Sequence, residues 1–340
     1  MEYIINDCTD PYFNLALEEY LFNFNKDDKK IYFWLWQNDN TIVIGKNQNA
    51  FSEINAGFVK EKNIKVARRI TGGGAVYHDL GNLNFSFIAP YSGGKKYDFR
   101  RFTDQIAKAL ETFGINAEYS GRNDLLLDGK KFSGNAQFVG EHKILHHGTI
   151  LFSSDTDMIN QCLNPTGEKL KIHGVDSVKS RITTISEHLS VRSVRMELKD
   201  FKNEIARKIC GNYGGANIRR LTEHEIKAVK DLSDKKFSAY EWIYGESPEF
   251  NYSKSMRFKD CGTVNISMFI SNPGGTGGVI ENCRITGDFF GSGDVSELER
   301  LFNSNVYGRD FISDVIKSKP ADLDYYFGRL DIADFLLLFD

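Results

Sequence analysis

Apolar residues recur along the N-terminal part of the chain with two different periods. Phe13, Leu17, Leu21 and Phe24 repeat at steps of four and three, which lays them on one face of a helix. Asp10-Pro11 opens that helix with an acidic cap followed by proline at the first helical position. Its other side carries Glu18 and Glu19 and reads as a solvated face. Residues 31–36 and 41–45 are strong strand candidates joined by Gln37-Asn38-Asp39-Asn40 as a turn. Residues 64–67 read as a short buried strand. Residues 82–88 alternate polar and apolar, as a half-buried strand does.

Further along, Phe102, Ile106, Ala109, Leu110 and Phe113 predict an amphipathic helix over 98–113, stopped by Gly114. Strands follow over 116–119, 124–127, 130–139 and 143–152, with Asp128-Gly129 as a tight hairpin turn. The pattern weakens over 153–181, where Asn164-Pro165-Thr166-Gly167-Glu168-Lys169 and His173-Gly174-Val175 read as loop. Helices return over 199–210 and 222–231, the second with Thr222 and Glu225 as a capping box. Ser, Pro, Asn and Lys dominate near 247–255, the expected linker. Beyond it lie strands over 262–270 and 279–285, bridged by the glycine-rich 272–278, and helices over 295–302 and 333–339. Strands and helices in this order predict an α+β chain: a large domain over 1–246 and a small α+β domain over 256–340.

The chain has 340 residues, enough for two domains; hydrophobic content of 41% and charged content of 26% are those of a globular protein. A net charge of −3 gives no basic field for nucleic acid. Cys8, Cys162, Cys210, Cys261 and Cys283 are scattered without a C-x-x-C pair, which fits a reducing, cytoplasmic setting better than a disulfide framework or a zinc site. No apolar run approaches a membrane span, and the N-terminus is too short and acidic for a signal peptide.

The candidate chemistry concentrates in four clusters of one domain. In residues 68–79, Arg68, Arg69 and Thr71 precede Gly72-Gly73-Gly74, then Ala75, Val76, Tyr77, His78 and Asp79. Three glycines alone are most simply a turn. With flanking arginines they offer free N–H groups and a guanidinium clamp for phosphate or carboxylate. No Gly-Lys-Ser/Thr follows, which excludes a Walker A loop, and a strand follows in place of the helix a dinucleotide fingerprint needs. The other clusters are Gly121-Arg122-Asn123-Asp124; Lys130-Lys131-Phe132-Ser133-Gly134-Asn135-Ala136-Gln137; and His146-His147-Gly148-Thr149. Adjacent strand residues point to opposite faces, so one of Lys130 and Lys131 can enter a pocket while the other faces solvent, and His147 is read as inward with His146 at the surface. Trp36, which ends a strand, is core or the wall of an apolar ligand slot.

Taken together the four clusters resemble lipoate–protein ligase A. Weaker echoes lie in Asp10-Pro11-x-Phe13-Asn14-Leu15-Ala16, Ser177-Val178-x-Ser180-Arg181 and Trp242-x-x-Gly245-x-x-Pro248-x-Phe250. The resemblance covers residues 1 to about 250. It implies a catalytic domain similar to the class II aminoacyl-tRNA synthetase and biotin ligase core, followed by an accessory domain. It implies an ATP- and Mg²⁺-dependent enzyme that adenylates free lipoate and passes the lipoyl group to a lysine of a carrier domain, in 2-oxoacid dehydrogenases or the glycine-cleavage H protein. By resemblance, Arg69 and the backbone of 74–77 hold the nucleotide, and Lys131 contacts both the lipoyl carbonyl and the phosphate. Thr71, Gly72, Gly73, His78, Asn123, Asp124, Ser133, His147 and Thr149 join the substrate and nucleotide site, and residues 177–181 close over the adenylate. Trp36 and Val76 are candidates for the lipoate slot on physical grounds. The alternatives are an octanoyl- or lipoyl-transferase of the same superfamily, for which Cys162 is the thiol to test, and a non-catalytic binding protein.

Overall fold

The computed structural model describes residues 1–24, 29–91, 93, 98–121, 123–163, 181–191, 195–212, 214–245, 250–271, 278–318 and 323–339. Arg122, residues 164–180 of the weakly patterned stretch expected over 153–181, residues 246–249, and residues 272–277 of the glycine-rich bridge lie outside them. The chain divides into two compact units. One comprises Met1–Ile44, Ala50–Ile70 and Ala75–Ile243; the other comprises Gly45–Asn49, Thr71–Gly74 and Tyr244–Asp340.

The strands in chain order are β1 (Glu2–Ile5), β2 (Tyr32–Trp36), β3 (Thr41–Ile44), β4 (Lys65–Arg68), β5 (Val76–His78), β6 (Asn82–Pro90), β7 (Glu118–Ser120), β8 (Asp124–Leu127), β9 (Lys130–Val139), β10 (Lys143–Leu151), β11 (Asn217–Arg220), β12 (Tyr252–Phe258), β13 (Gly262–Ser271) and β14 (Val279–Gly287). In the first unit eight of them form a mixed sheet in the order β11-β1-β2-β6-β10-β9-β8-β7, and β4-β3-β5 form a second, small sheet. The two strands expected on either side of the turn at 37–40 are present but do not pair: β2 and β3 belong to different sheets, and the turn between them, with Asn40 at φ 39°, carries the chain from one to the other. Strand β5 is a short element between the glycine loop and β6 that the hydrophobic pattern does not reveal.

Each face of the large sheet has its own cover. Helix α1 (Pro11–Phe24) starts where Asp10 Oδ1 accepts from the backbone N–H groups of Tyr12 and Phe13. It packs Leu15, Leu17 and Leu21 against Trp34, Trp36, Ile88 and Leu145. Burial of each leucine contributes about 1.5–3 kcal/mol. On the other face, the helix Arg100–Glu111 brings Phe102 within 5.4 Å of the Phe87 ring, and the helix Leu198–Asn212 brings Phe201 within 4.8 Å of Phe152. Strand β6 is covered on both sides and is buried almost throughout. Its polar positions Asn82, Asn84 and Ser86, expected at the surface of a half-buried strand, face α1 instead of water.

The second unit is α+β as well. Strands β12-β13-β14 form an antiparallel sheet whose inner residues Val264, Ile266, Met268, Ile280 and Ile285 join Phe302, Phe327 and Phe335 from short helices in one core. Strand β12 begins at Tyr252, inside the stretch expected as linker. Its polar residues alternate outward, as in Ser253 and Ser255, so a composition that reads as linker is the solvent face of a strand.

Candidate functional site

Strand register aligns several of the sequence-nominated residues on the α1-facing side of the large sheet. Trp36 is opposite Asn84, Asn84 is opposite Thr149, and Thr149 Oγ1 accepts from Gly134 N–H at 3.2 Å. Gly134 in turn is opposite Asp124. The next row contains Trp34, Ser86, His147 and Ala136.

Lys131 reaches this face through an irregularity. Ser133 pairs with Leu125 but Lys131 pairs with Leu126, so Phe132 is an extra residue in β9. The Lys131 side chain folds back over Gly134, where a Cβ would stand 3.0 Å from its Nζ. A side chain here would press on the end of the lysine and displace it from this path. Nζ pairs with Asp124 Oδ1 at 2.8 Å, and the side chain remains 39% exposed. The chain segment 181–183 docks on the same residue: Lys131 N–H donates to the Arg181 carbonyl at 2.7 Å, and Thr183 N–H donates to the Lys131 carbonyl at 3.0 Å. Lys130 is exposed.

The buried centre of the first unit is a polar cluster that the sequence reading placed wrongly. Glu18, expected on a solvated face, is 0% exposed. Its carboxylate accepts from His147 Nδ1 at 2.8 Å and from Ser86 Oγ at 2.6 Å, while Ser86 Oγ accepts from Trp36 Nε1 at 2.8 Å. Arg69 is buried and donates to the Val43 carbonyl at 3.0 Å. Burial lowers its pKa to about 10, and the nearby Glu18 charge opposes that shift. His78 is buried and forced neutral: burial first, then the charges of Arg69 and His147, depress its pKa to about 3. An aliphatic helix that holds Asn14 and Glu18 four residues apart carries two polar groups on one inward stripe. That spacing was the available signal for Glu18, and the hydrophobic pattern concealed it.

His146, expected at the surface, is 0% exposed on the opposite face of the sheet. Its ring stacks on Phe102 at 4.8 Å and meets Gln137 Nε2 through Nδ1 at 2.9 Å. Burial holds its pKa well below the ordinary value, so it is a neutral core residue. Ser133 also turns to that other face, where its Oγ accepts from Asn135 Nδ2 at 3.3 Å; it is not brought together with Thr149. Asn123 exchanges hydrogen bonds with the Asn135 backbone and side chain, which ties the start of β8 to β9.

The stretch 68–79 divides its labour. Arg68 does not flank a ligand loop as a free clamp: its guanidinium donates to the carbonyls of Trp242 and Ile243 at 2.6–3.0 Å, and Trp242 Nε1 donates back to the Arg68 carbonyl. Thr71, Gly72, Gly73 and Gly74 group with the second unit. There a Cβ on Gly72 would stand 2.1 Å from the Phe289 carbonyl oxygen, so its close approach is to protein backbone. Ala75 and Val76 are partly buried. Val76 packs against the α1 core, and Tyr77 turns away from His78 to donate to Asn40 Oδ1 at 3.0 Å. Among the described residues no group of three His, Cys, Asp or Glu side chains could hold a metal ion, and no helix is long and apolar enough to cross a membrane.

Comparison with known proteins agrees with these features. Residues 10–210 match the family of the lipoyl protein ligase A/B catalytic domain, and residues 247–339 match the bacterial lipoate protein ligase C-terminus. The chain is 40% identical over 332 residues to lipoate-protein ligase LplJ of Bacillus subtilis, covering 97% of each. Among solved structures it is similar to a bipartite lipoate protein ligase studied with its E2 lipoyl domain from Thermoplasma acidophilum. That match has a TM-score of 0.65 and 26% identity, covering 74% of this chain and 98% of the other. It is also similar to a lipoate-protein ligase A bound with ATP, with a TM-score of 0.63 and 25% identity, covering 72% of this chain and 98% of that one. The chain belongs to the lipoate–protein ligase family and carries both its catalytic domain and its C-terminal domain.

Proposed function

We propose that this ligase activates free lipoate with ATP and transfers the lipoyl group to a lysine of a carrier domain, the lipoyl domains of 2-oxoacid dehydrogenases or the glycine-cleavage H protein. In the first step a carboxylate oxygen of lipoate attacks the α-phosphorus, the bond to pyrophosphate breaks, and lipoyl-AMP forms. In the second step the neutral amine of the carrier lysine attacks the acyl carbon, AMP leaves, and the amine proton is released. The observation that carries the reading is Lys131, folded over Gly134 beside Asp124 and in line with Thr149 and Trp36.

The physical demands of the two steps fit these groups. Two anions must meet in the first step, and Lys131 with Arg69 lowers that repulsion. Asp124 keeps Lys131 aimed until a phosphate competes for the ammonium. Mg²⁺ commonly takes one or two carboxylates together with substrate phosphates and water. Asp124 beside Lys131 fits a phosphate-borne Mg²⁺, and the absence of a three-ligand group among the described residues does not fit an all-protein cage. When bound, the ion adds further charge screening to the phosphates. Residues 181–183, hydrogen-bonded to the Lys131 backbone, brace the reacting lysine. Trp36 and Val76 supply apolar walls for the acyl chain.

Cys162 disfavours a thioester-forming transferase. It is 0% exposed, and burial pushes its thiol up to about 12, whereas the nucleophile is the thiolate. Lipoate-dependent exchange of label between pyrophosphate and ATP tests the proposal. Exchange that requires lipoate and is lost in Lys131→Ala supports it; transfer without ATP contradicts it. The scattered placement of the cysteines, with no C-x-x-C pair, supports a cytoplasmic setting.

A further inference from the structure

The N-terminal echo Asp10-Pro11-x-Phe13-Asn14 is not explained by nucleotide or Lys131 chemistry, and its asparagine leads to His78. Asn14 is 0% exposed at the centre of a chain of amides. Its Nδ2 donates to the carbonyls of Cys8 and Gln37 at 3.0 and 2.9 Å, and those two oxygens fix which end of the amide is nitrogen. Its Oδ1 accepts from Asn6 Nδ2 at 2.8 Å. Asn38 Oδ1 stands 2.9 Å from the same Nδ2, so three oxygens share its two hydrogens. A second NH2 group could not face that nitrogen, which orients the Asn38 amide in turn. Asn38 Nδ2 therefore donates to His78 Nδ1, at 3.1 Å. A neutral imidazole whose Nδ1 accepts carries its proton on Nε2. That Nε2 is buried and has no hydrogen-bond partner among the described residues.

A second unpartnered donor sits nearby. Asn82 and Asn84 are 0% and 1% exposed; among the described residues their side chains bond to each other alone, leaving Asn84 Nδ2 and Asn82 Oδ1 unsatisfied. Whichever way the two amides are turned, one N–H stays without an acceptor. Asn84 is opposite Trp36, and the His78 ring meets Trp36 edge-on at 6.3 Å. Buried donors without acceptors are uncommon and call for an occupant.

Resting on the ligase reading above, we infer that the Asn6–Asn14–Asn38 chain is a positioning device that presets His78 as an Nε2–H donor to the sulfur-bearing ring of a dithiolane acid. It thereby favours that acid over a straight-chain fatty acid. Distance selects the ring end. Lys131 lies over Gly134, three strands from Trp36, or about 14 Å at ordinary strand spacing. An extended eight-carbon acid spans on the order of 10 Å. With its carboxyl end at Lys131, its far end reaches the His78–Trp36 corner. A disulfide sulfur is a weak acceptor that can take the preset N–H; the terminal methyl of octanoate leaves it unpaired.

The test replaces Asn38 by Asp, which preserves shape and still accepts from Asn14. Its second oxygen accepts from Nδ1, so the tautomer reverses and Nε2 loses its proton. The groups facing His78 are Arg69 and His147, with Glu18 behind His147 and the neutral Asn38 and Trp36. In the parent protein His78 stays neutral across the working range, and it adds no pH dependence to the lipoate-to-octanoate ratio of kcat/KM. In Asn38→Asp the ratio falls roughly fivefold to tenfold at alkaline pH and recovers toward acid, where the imidazolium regains Nε2–H. Nitrogen-15 NMR of His78 in the full chain reports the tautomer directly.

His78→Gln and His78→Asn repeat the test without the new charge. Gln restores a donor near the Nε2 position and keeps the ratio, whereas Asn places its donor near Nδ1 and loses it. A reversed tautomer with an unchanged ratio overturns the inference. So do equal ratios in the Gln and Asn variants, which decide the matter if Asn38→Asp does not fold. Failure of the parent protein to transfer lipoate at all contradicts the ligase reading instead.

Discussion

Lys131 and Lys130 are neighbours with opposite fates, and the difference is one extra residue in β9. Lys131→Ala is expected to lower both adenylate formation and transfer by about a hundred- to a thousandfold, with Lys130→Ala close to the parent rate; single-turnover assays of each half-reaction measure this. Equal rates in the two variants contradict the assignment. Glu18 joins His147 and Ser86 with no exposure to water. Its replacement by Leu leaves their donors unpaired and should lower stability by roughly 3–5 kcal/mol, read as a shift in urea midpoint. At this scale the sequence was legible in residue type and often misleading in direction. It nominated Lys131, Arg69, His78 and His147 from their neighbours. It read Glu18 and His146 as solvated because polar residues on an amphipathic pattern usually are, and only tertiary packing determines whether such a residue finds a buried partner.

At the scale of elements, the pair Arg68–Arg69 shows how alternation along the chain assigns different work to like residues. Arg68 binds the carbonyls that end the helix Tyr240–Ile243, while Arg69 lies in the Glu18 cluster. Arg68→Met should cost about 1.5–3 kcal/mol of stability and leave nucleotide affinity near the parent value, measured by calorimetry, whereas Arg69→Met weakens nucleotide binding. A comparable loss of nucleotide affinity in both variants contradicts this division. The helix Thr156–Cys162 buries its thiol, so Cys162→Ser retains full transfer activity in a carrier-modification assay. The strongly patterned elements, α1, β2, β9, β10 and the helix Arg100–Glu111, were legible because burial on one face or both imposes a period on the sequence. Strands β5 and β12 were not: the first is three residues long, and the second turns its serines to solvent in a sequence that resembles a linker. The bulge that redirects Lys131 left no trace in residue type beyond Gly134.

Across the whole molecule, two neutral buried histidines link stability to pH. His78 and His146 have folded-state pKa values depressed by burial, His78 to about 3. In the unfolded chain they titrate near 6.5. Below that pH the unfolded chain binds protons that the folded chain does not. The stabilising contribution is therefore complete above about pH 6.5 and is lost as pH falls, by about 1.4 kcal/mol per pH unit for each histidine. Urea midpoints at pH 7.5, 6.5 and 5.5 measure the slope, and His78→Gln should reduce it by one proton; an unchanged slope would remove His78 from this account. The α+β class was readable from element order, because each sheet must bury a face against helices. The amide chain that leads to His78 joins residues from α1, the β2–β3 turn and β5, and nothing local in the sequence announces it. The central claim is that this chain uses ATP to attach free lipoate to a carrier lysine. Mass spectrometry of a purified lipoyl domain incubated with the protein, ATP and lipoate tests it most directly. The account predicts one lipoyl mass increment on the carrier lysine that requires ATP and is absent with Lys131→Ala; an unmodified carrier, or a carrier modified equally without ATP, would contradict it.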